Sequence, residues 1–209
     1  MVRNGKKHKP NIELIMYALV VNGNIVKHFS YPKGFEHDGN LYSADIFTKW
    51  SKAEKDAIGL HEIVTDSTNH KDPEYYINTN EQYTFASGVV TRSWGTAIAK
   101  NLNDTGTGKE LVEGLKTQKK KIVKQQALGL LAPTDWYVIK ANEVADYSVP
   151  SNITTFRANV RTKSNEMETA IDGASDVDAL KTLYEYTNTG TEANPVFTRP
   201  LGEFPTLEN

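Results

Sequence analysis

Three features of the sequence invite a chemical reading: a glycine-rich turn, a set of histidines and a run of lysines. Gly106-Thr107-Gly108-Lys109 would offer backbone amides and a lysine to a phosphate. The rest of a phosphate loop is missing, because Asn103 stands where the first glycine belongs and Glu110 where a hydroxyl should meet Mg²⁺. The histidines, His8, His28, His37, His61 and His70, contain no pair at the i, i+4 spacing of a helical zinc site. His37-Asp38 and His61-Glu62 set base beside acid in sequence, but neighbouring side chains on a strand or loop are expected to point apart. Cysteine is absent, which removes disulfides, thiolate metal sites and cysteine nucleophiles together. There is no Gly-x-Ser-x-Gly elbow, so the one catalytic arrangement left open is a Ser/His/Asp site assembled in three dimensions. The expectation is a non-enzymatic protein with no catalytic, cofactor-binding or metal-binding residues.

Lys116, Lys119, Lys120, Lys121 and Lys124 crowd one predicted helix. Over residues 109–131, six lysines stand against Glu110 and Glu113, a local balance of +4 that could hold phosphates without sequence preference. A solvated face, or a docking patch for an acidic partner, is the expected role. Nucleic-acid association is the alternative. The whole chain, with net charge -2 and pI near 6.2, lacks the basic excess of a nucleic-acid-binding domain. Mean hydropathy of -0.52 and the lack of a long apolar run predict a soluble protein of the cytoplasm with no membrane segment. Asn152-Ile153-Thr154 has the form of a glycosylation acceptor, but nothing routes the chain to a secretory pathway.

The elements that would position these residues fall into two groups. Residues 1–15 read as a flexible arm, with the packed fold expected to begin near Met16. Tyr17–Val21 and Asn24–Phe29 flank Asn22-Gly23, the dipeptide suited to a type I′ turn, and predict a hairpin. Ser51-Lys52-Ala53-Glu54 is a capping box opening a short helix that Gly59 closes, and residues 45–50 are expected to form a helical turn leading into it. Apolar runs at 74–77, 82–85 and 89–94 predict a second hairpin or a three-stranded meander. Residues 16–100 are therefore read as a small α+β domain, and 101–108 as a linker.

A helical hairpin is expected over 109–186. Leu111, Leu115, Ile122 and Leu130, with Gln118 and Gln125 on the same stripe, recur at roughly 4-3-4-3 spacing before Leu131. After Ser151, Ile153, Phe156, Val160, Met167 and Ile171 repeat it. The two helices would each span about 30 Å, pack antiparallel and share one apolar interface. A shorter helix follows Ser175-Asp176-Val177-Asp178. Residues 187–209 carry Pro195, Pro200 and Pro205 among apolar residues and predict an extended, docked tail. Trp136 is expected to be buried where the chain turns between the two helices.

Leu130-Leu131, Thr134-Asp135-Trp136, Val149-Pro150, Ile153, Phe156-Arg157 and Val160-Arg161 resemble the C-terminal region of tailed-phage tail-fibre assembly proteins and related small phage tail proteins. There a polar helix ends in a Leu-Leu-x-x-Thr-Asp-Trp corner, and a Pro-started helix carries Tyr-Arg-x-x-Leu-Arg. Phe156 replaces that Tyr, and Tyr137–Tyr147 is longer and more strand-like than the family's pattern. The resemblance covers roughly residues 111–172. It implies a phage tail protein working through protein–protein interfaces, as a virion tail or tail-fibre component or as a fibre-assembly factor. Its partners would be tail or tail-fibre proteins or further copies of itself, and its place the virion tail or the host cytoplasm. The partner-binding residues expected are Trp136, Phe156, Arg157, Arg161, Phe197, Leu201 and Phe204.

Overall fold

The chain is an α+β protein; the computed structural model describes residues 16–207. The arm expected at 1–15 lies outside the described residues. Two compact units divide the chain: one runs to Pro73 and includes Ile77–Ile98, the other joins Glu74–Tyr76 to the chain from Ala99 onward.

In the first unit, β1 (Tyr17–Val21) and β2 (Asn24–Phe29) form the expected hairpin. Asn22 and Gly23 have φ of 51° and 79°, as a type I′ turn requires. The same device recurs twice. Asp38-Gly39 joins β3 (Phe35–His37) to β4 (Asn40–Tyr42), and Ser87-Gly88 joins β7 (Gln82–Ala86) to β8 (Val89–Ser93). Helix α1 (Ile46–Lys49) leads into α2 (Lys52–Ala57), where Ser51 and Glu54 make the reciprocal capping box. After α2, Gly59 turns the chain into β5 (Leu60–Thr65) at φ 74°, and a Cβ there would lie 2.2 Å from the Val20 carbonyl oxygen. Only glycine fits that approach.

The five-stranded sheet has the order β2-β1-β5-β8-β7, with β5 and β8 parallel and the other neighbours antiparallel. The alternation of side chains builds a core on each face. Tyr17, Leu19, Phe29 and Leu60 pack with Phe35, Ile46 and Phe47 on one side, whereas Ala18, Val20, Ile63 and Val90 meet Met16, Ile25, Tyr83 and Phe85 on the other. The sheet curls until its edge strands meet, with the His28 ring 4.4 Å from that of Tyr83. Of the second hairpin or three-stranded meander expected over 74–94, the hairpin β7–β8 forms, and β6 (Tyr76–Ile77) pairs with β9 (Ile98–Ala99) instead of β7.

In the second unit the expected helix from 109 begins later. Thr105 and Val112 pair across a turn containing a 3₁₀ segment at Gly108–Glu110, and α3 runs Leu115–Leu131. Asp104 ties this loop to the helix start by accepting the Gly114 N–H at 2.8 Å, which with Thr117 holds its carboxyl below the usual range. Helix α5 (Ser151–Gly173) packs on α3. The two run antiparallel: Lys116 and Lys120 near the start of α3 reach Asp172, while Arg157 near the start of α5 reaches the Leu131 carbonyl. Between them stand a 3₁₀ turn (Ala132–Thr134) and a further helix, α4 (Asp135–Glu143). Asp176 caps α6 (Val177–Thr182), accepting the Ala179 N–H at 2.7 Å.

The α5 stripe is the predicted one: Ile153, Phe156, Val160, Met167 and Ile171 are all buried. The α3 stripe is not. Leu111 and Ile122 are exposed, and the buried positions are Leu115, Lys119, Val123 and Ala127 at a regular four-residue spacing. The expected tail folds back as a ribbon of β10 (Thr187–Asn188) with β11 (Phe197–Thr198), and then docks. Leu201 is buried, donating its N–H to the Leu183 carbonyl at 3.0 Å.

Candidate protein-interaction surface

The passage from α3 to α4 determines which residues can meet a partner. Pro133 cannot donate a backbone hydrogen bond, so the helical ladder is interrupted there. The Leu131 carbonyl instead accepts the Thr134 hydroxyl at 2.7 Å and the Arg157 guanidinium at 3.1 Å. Arg157 also donates to the Thr134 hydroxyl at 2.6 Å and pairs with Asp135 at 2.7 Å. One guanidinium thus satisfies a helix-terminal carbonyl and offsets its negative end while holding the following turn. Its own side chain is largely covered.

Beyond this clamp the chain stays helical, which corrects two expectations. Tyr137–Tyr147 is not strand-like, because α4 continues to Glu143. Trp136 does not fill the wedge between helices; it is 50% exposed. The wedge is filled by Ala127, Phe156 and Val160 with Leu130, Leu131 and Phe204. Asp135 makes no helix-capping bond, since Arg157 takes its carboxylate.

Helix α4 buries none of its residues. Its sequence is nevertheless apolar: Trp136, Val138 and Ile139 are all exposed, Ile139 at 55%, and Val144 follows just beyond. Leu128, in the last turns of α3, is 64% exposed. At 100° per residue, Trp136, Ile139 and Glu143 share one side of α4, while the two less exposed positions, Tyr137 and Ala141, lie on the other. The Lys140 ammonium sits 5.8 Å from the Trp136 ring and 4.3 Å from that of Tyr147. The result is an outward side on which Trp136 and Ile139 stand exposed with Glu143 between them and Lys140 alongside.

The other expected contact residues divide. Phe156, Leu201 and Phe204 are built into the second unit, Phe156 and Leu201 being buried, and Arg157 is spent on the clamp. Arg161 is exposed, donating to the Arg157 carbonyl at 3.3 Å. Phe197 is exposed on β11. Trp136, Arg161 and Phe197 are therefore the expected residues available to a partner.

The lysines of α3 are engaged internally. Lys116 donates to the Asp172 carbonyl; Lys120 pairs with Asp172, Lys121 with Glu113 and Lys124 with Glu168. Lys119 is 6% exposed. Its ammonium pairs with Glu74 and lies 4.8 Å from the Tyr75 ring and 4.4 Å from that of Tyr184. Beside this cluster, Tyr76 donates to Asp178 at 2.5 Å, a bond that pushes its hydroxyl up to about 12, and burial pushes Tyr184 to about 12 as well. Phenols held so high stay protonated near neutrality.

His37 and Asp38 do approach, at 3.5 Å, contrary to the expectation that neighbours point apart. They line an open cleft of about 310 Å³ with Asn22, Asn40 and Tyr42, in which no serine, threonine or cysteine stands as a nucleophile. A second open cleft, of about 560 Å³, lies between the start of α5 and the tail, and no acid–base pair stands among the described residues that line it. No group of three His, Asp or Glu placed to hold a metal ion occurs among the described residues. No described helix is long and apolar enough to cross a membrane. Comparison with protein-family models, with curated proteins and with solved structures returns no match.

Proposed function

We propose that the chain is a non-enzymatic interaction protein that docks through α4, and that it serves a bacteriophage tail, as a tail or tail-fibre component or as a fibre-assembly factor. The observation that carries the docking role is a helix with no fully buried residue on which Trp136, Val138 and Ile139 are all exposed. Leaving such residues in water gives no stabilisation, whereas covering them would contribute about 25 cal/mol per Å² of apolar surface. The tail context rests on the sequence resemblance around Trp136 and Arg157.

The discriminating experiment is mass spectrometry of purified particles, paired with deletion of the gene. Fixed stoichiometry in the particle supports the component role; absence from the particle with misfolded fibres on deletion supports the assembly role. Absence with normal fibres refutes both. Ile139→Asp, which places a charge on the outward side, should abolish incorporation or fibre maturation while the chain remains folded. The nucleic-acid alternative loses support from the internal pairing of the α3 lysines.

A further inference from the structure

We infer that the open cleft at one end of the first unit's sheet is a binding site for a neutral sugar unit, a role independent of docking through α4. Three turns build it: Asn22-Gly23 after β1, Asp38-Gly39 after β3 and Ile58-Gly59 before β5. Because β1 runs antiparallel to β5, the end of one strand and the start of the other share one end of the sheet. Turns gathered at the mouth of a curled sheet are a usual place for a small ligand.

The two polar turns are braced alike. Asn24 donates its side-chain amide to the Asn22 carbonyl at 3.2 Å, and Asn40 donates to the Asp38 carbonyl at 3.1 Å. Below them the floor is equally fixed, with the Val20 N–H donated to the Gly59 carbonyl at 2.8 Å. These backbone groups are spent within the fold, which leaves the side chains of Asn22 and Asp38, the Asn40 Oδ1 and the Tyr42 hydroxyl to meet a ligand. Groups held in place beforehand lower the entropic cost of binding.

The chemistry of this lining selects the ligand. No lysine or arginine lines the cleft among the described residues, and the Asp38 carboxylate is there, so an anion is repelled. One carboxylate and one imidazole, 3.5 Å apart, are too few to hold a metal ion. A flat base finds no aromatic slot, because the Tyr42 ring stacks on Phe35 at 5.2 Å and stands perpendicular to Trp50 at 5.9 Å. A simple organic cation would use Asp38 and leave the amides and the phenol idle. A sugar uses them all. Each of its hydroxyls donates and accepts, which suits a carboxylate that accepts from two adjacent hydroxyls, an amide that does both and a phenol that does either. Val21 and Ile58 supply apolar surface for the C–H edge of the ring. At about 310 Å³ the cleft is at the lower end of the roughly 300 to 1,000 Å³ of small-ligand sites, room for a single sugar unit whose neighbours stay in solvent.

Titration of the isotope-labelled full chain with glucose, galactose, mannose and N-acetylglucosamine, read by amide resonances, tests the assignment. At least one sugar should bind with a Kd on the order of 1 to 10 mM, as an open cleft implies, and the shifts should concentrate at Asn22, Asp38, Asn40 and Gly59. Asp38→Asn and Asn22→Gly preserve the turns, since both replacements accept positive φ, and each should weaken binding about tenfold through the lost hydrogen bonds. Ala57→Trp, at an exposed position on the cleft wall, should fill the space and abolish binding while the resonances of the sheet stay in place. Silence of these amides at about 100 mM of every sugar would overturn the assignment. So would shifts spread evenly over the chain, binding indifferent to the three substitutions, or the same amides moved by ethanolamine or inorganic phosphate and by no sugar.

Discussion

Lys119 offers the sharpest test of how the second unit holds together, because the same residue is a cation, a buried stem and a cap over two tyrosines. Replacing it with alanine removes three methylenes, worth about 0.8 kcal/mol each when buried, or roughly 2.4 kcal/mol. The two ring contacts, at 4.8 and 4.4 Å, add about 0.5 to 2 kcal/mol apiece. Against this, removing a desolvated charge returns part of its burial cost. The Glu74 side chain is 55% exposed, so the carboxylate left behind is largely solvated and adds little. The net expectation for Lys119→Ala is a loss of roughly 2 to 4 kcal/mol. Lys119→Met keeps the length of the stem and can set sulfur against the same rings, so it should fall within about 1 kcal/mol of the wild type. Urea denaturation followed by far-UV circular dichroism reads this unit selectively, since α1 and α2 in the first unit are only 4 and 6 residues long while α3 and α5 have 17 and 23. If the methionine variant is as damaged as the alanine variant, the charge and not the packing is what matters, and the reasoning fails.

In the first unit, Gly59→Ala should cost more than about 2 kcal/mol, measured through the fluorescence of Trp50 and Trp94, because the new Cβ collides with backbone at positive φ. Arg157→Ala should destabilise the helices by roughly 2 to 3 kcal/mol, and Arg157→Lys should recover part of it, since the Leu131 carbonyl, the Thr134 hydroxyl and the Asp135 carboxylate all meet one guanidinium nitrogen that a three-donor ammonium can stand in for; an alanine variant as stable as the wild type in the same denaturation assay would refute the clamp. Tyr76 and Tyr184 should ionise last in an ultraviolet titration, near pH 12, and Tyr76→Phe should remove one late step. Both hydroxyls lie above the unfolded value of about 10, so their contribution to stability is fully present below pH 10 and fades as pH rises through 12. Loss of that contribution on acidification instead would contradict the assignment.

What was legible in the sequence was local chemistry. Asn22-Gly23, the Ser51/Glu54 box and the Pro150-Ser151 start of α5 each specify geometry within a few residues, and each appears in the fold. What was not legible depends on partners far along the chain. The parallel pairing of β5 with β8, the β6–β9 ribbon and the contact of edge strands through His28 and Tyr83 leave no short-range trace. The α3 stripe departs from its expected course for the same reason: a lysine does not announce that Glu74, Tyr75 and Tyr184 will surround it, so the sequence points to Leu111 and Ile122 while the buried four-residue spacing runs through Lys119.

The misreading of 137–147 has a different origin and a different meaning. Trp136, Tyr137, Val138 and Ile139 are weak helix formers, suited by composition to a strand, and the run was read that way. Tertiary burial usually overrides such a preference, but α4 has no fully buried residue, only Tyr137 and Ala141 being half-buried, so its own chain supplies little packing to do so. Nine residues are also too few for a self-sufficient helix in water. What supports α4 within the chain is the Arg157 clamp at its first residue and the Lys140 ammonium resting on Trp136 and Tyr147. Local preference and structure therefore conflict at the segment whose apolar residues face outward, and conflicts of that kind concentrate where a protein meets something else. A covered α4 resolves the conflict as a buried helix ordinarily would, by packing its apolar face.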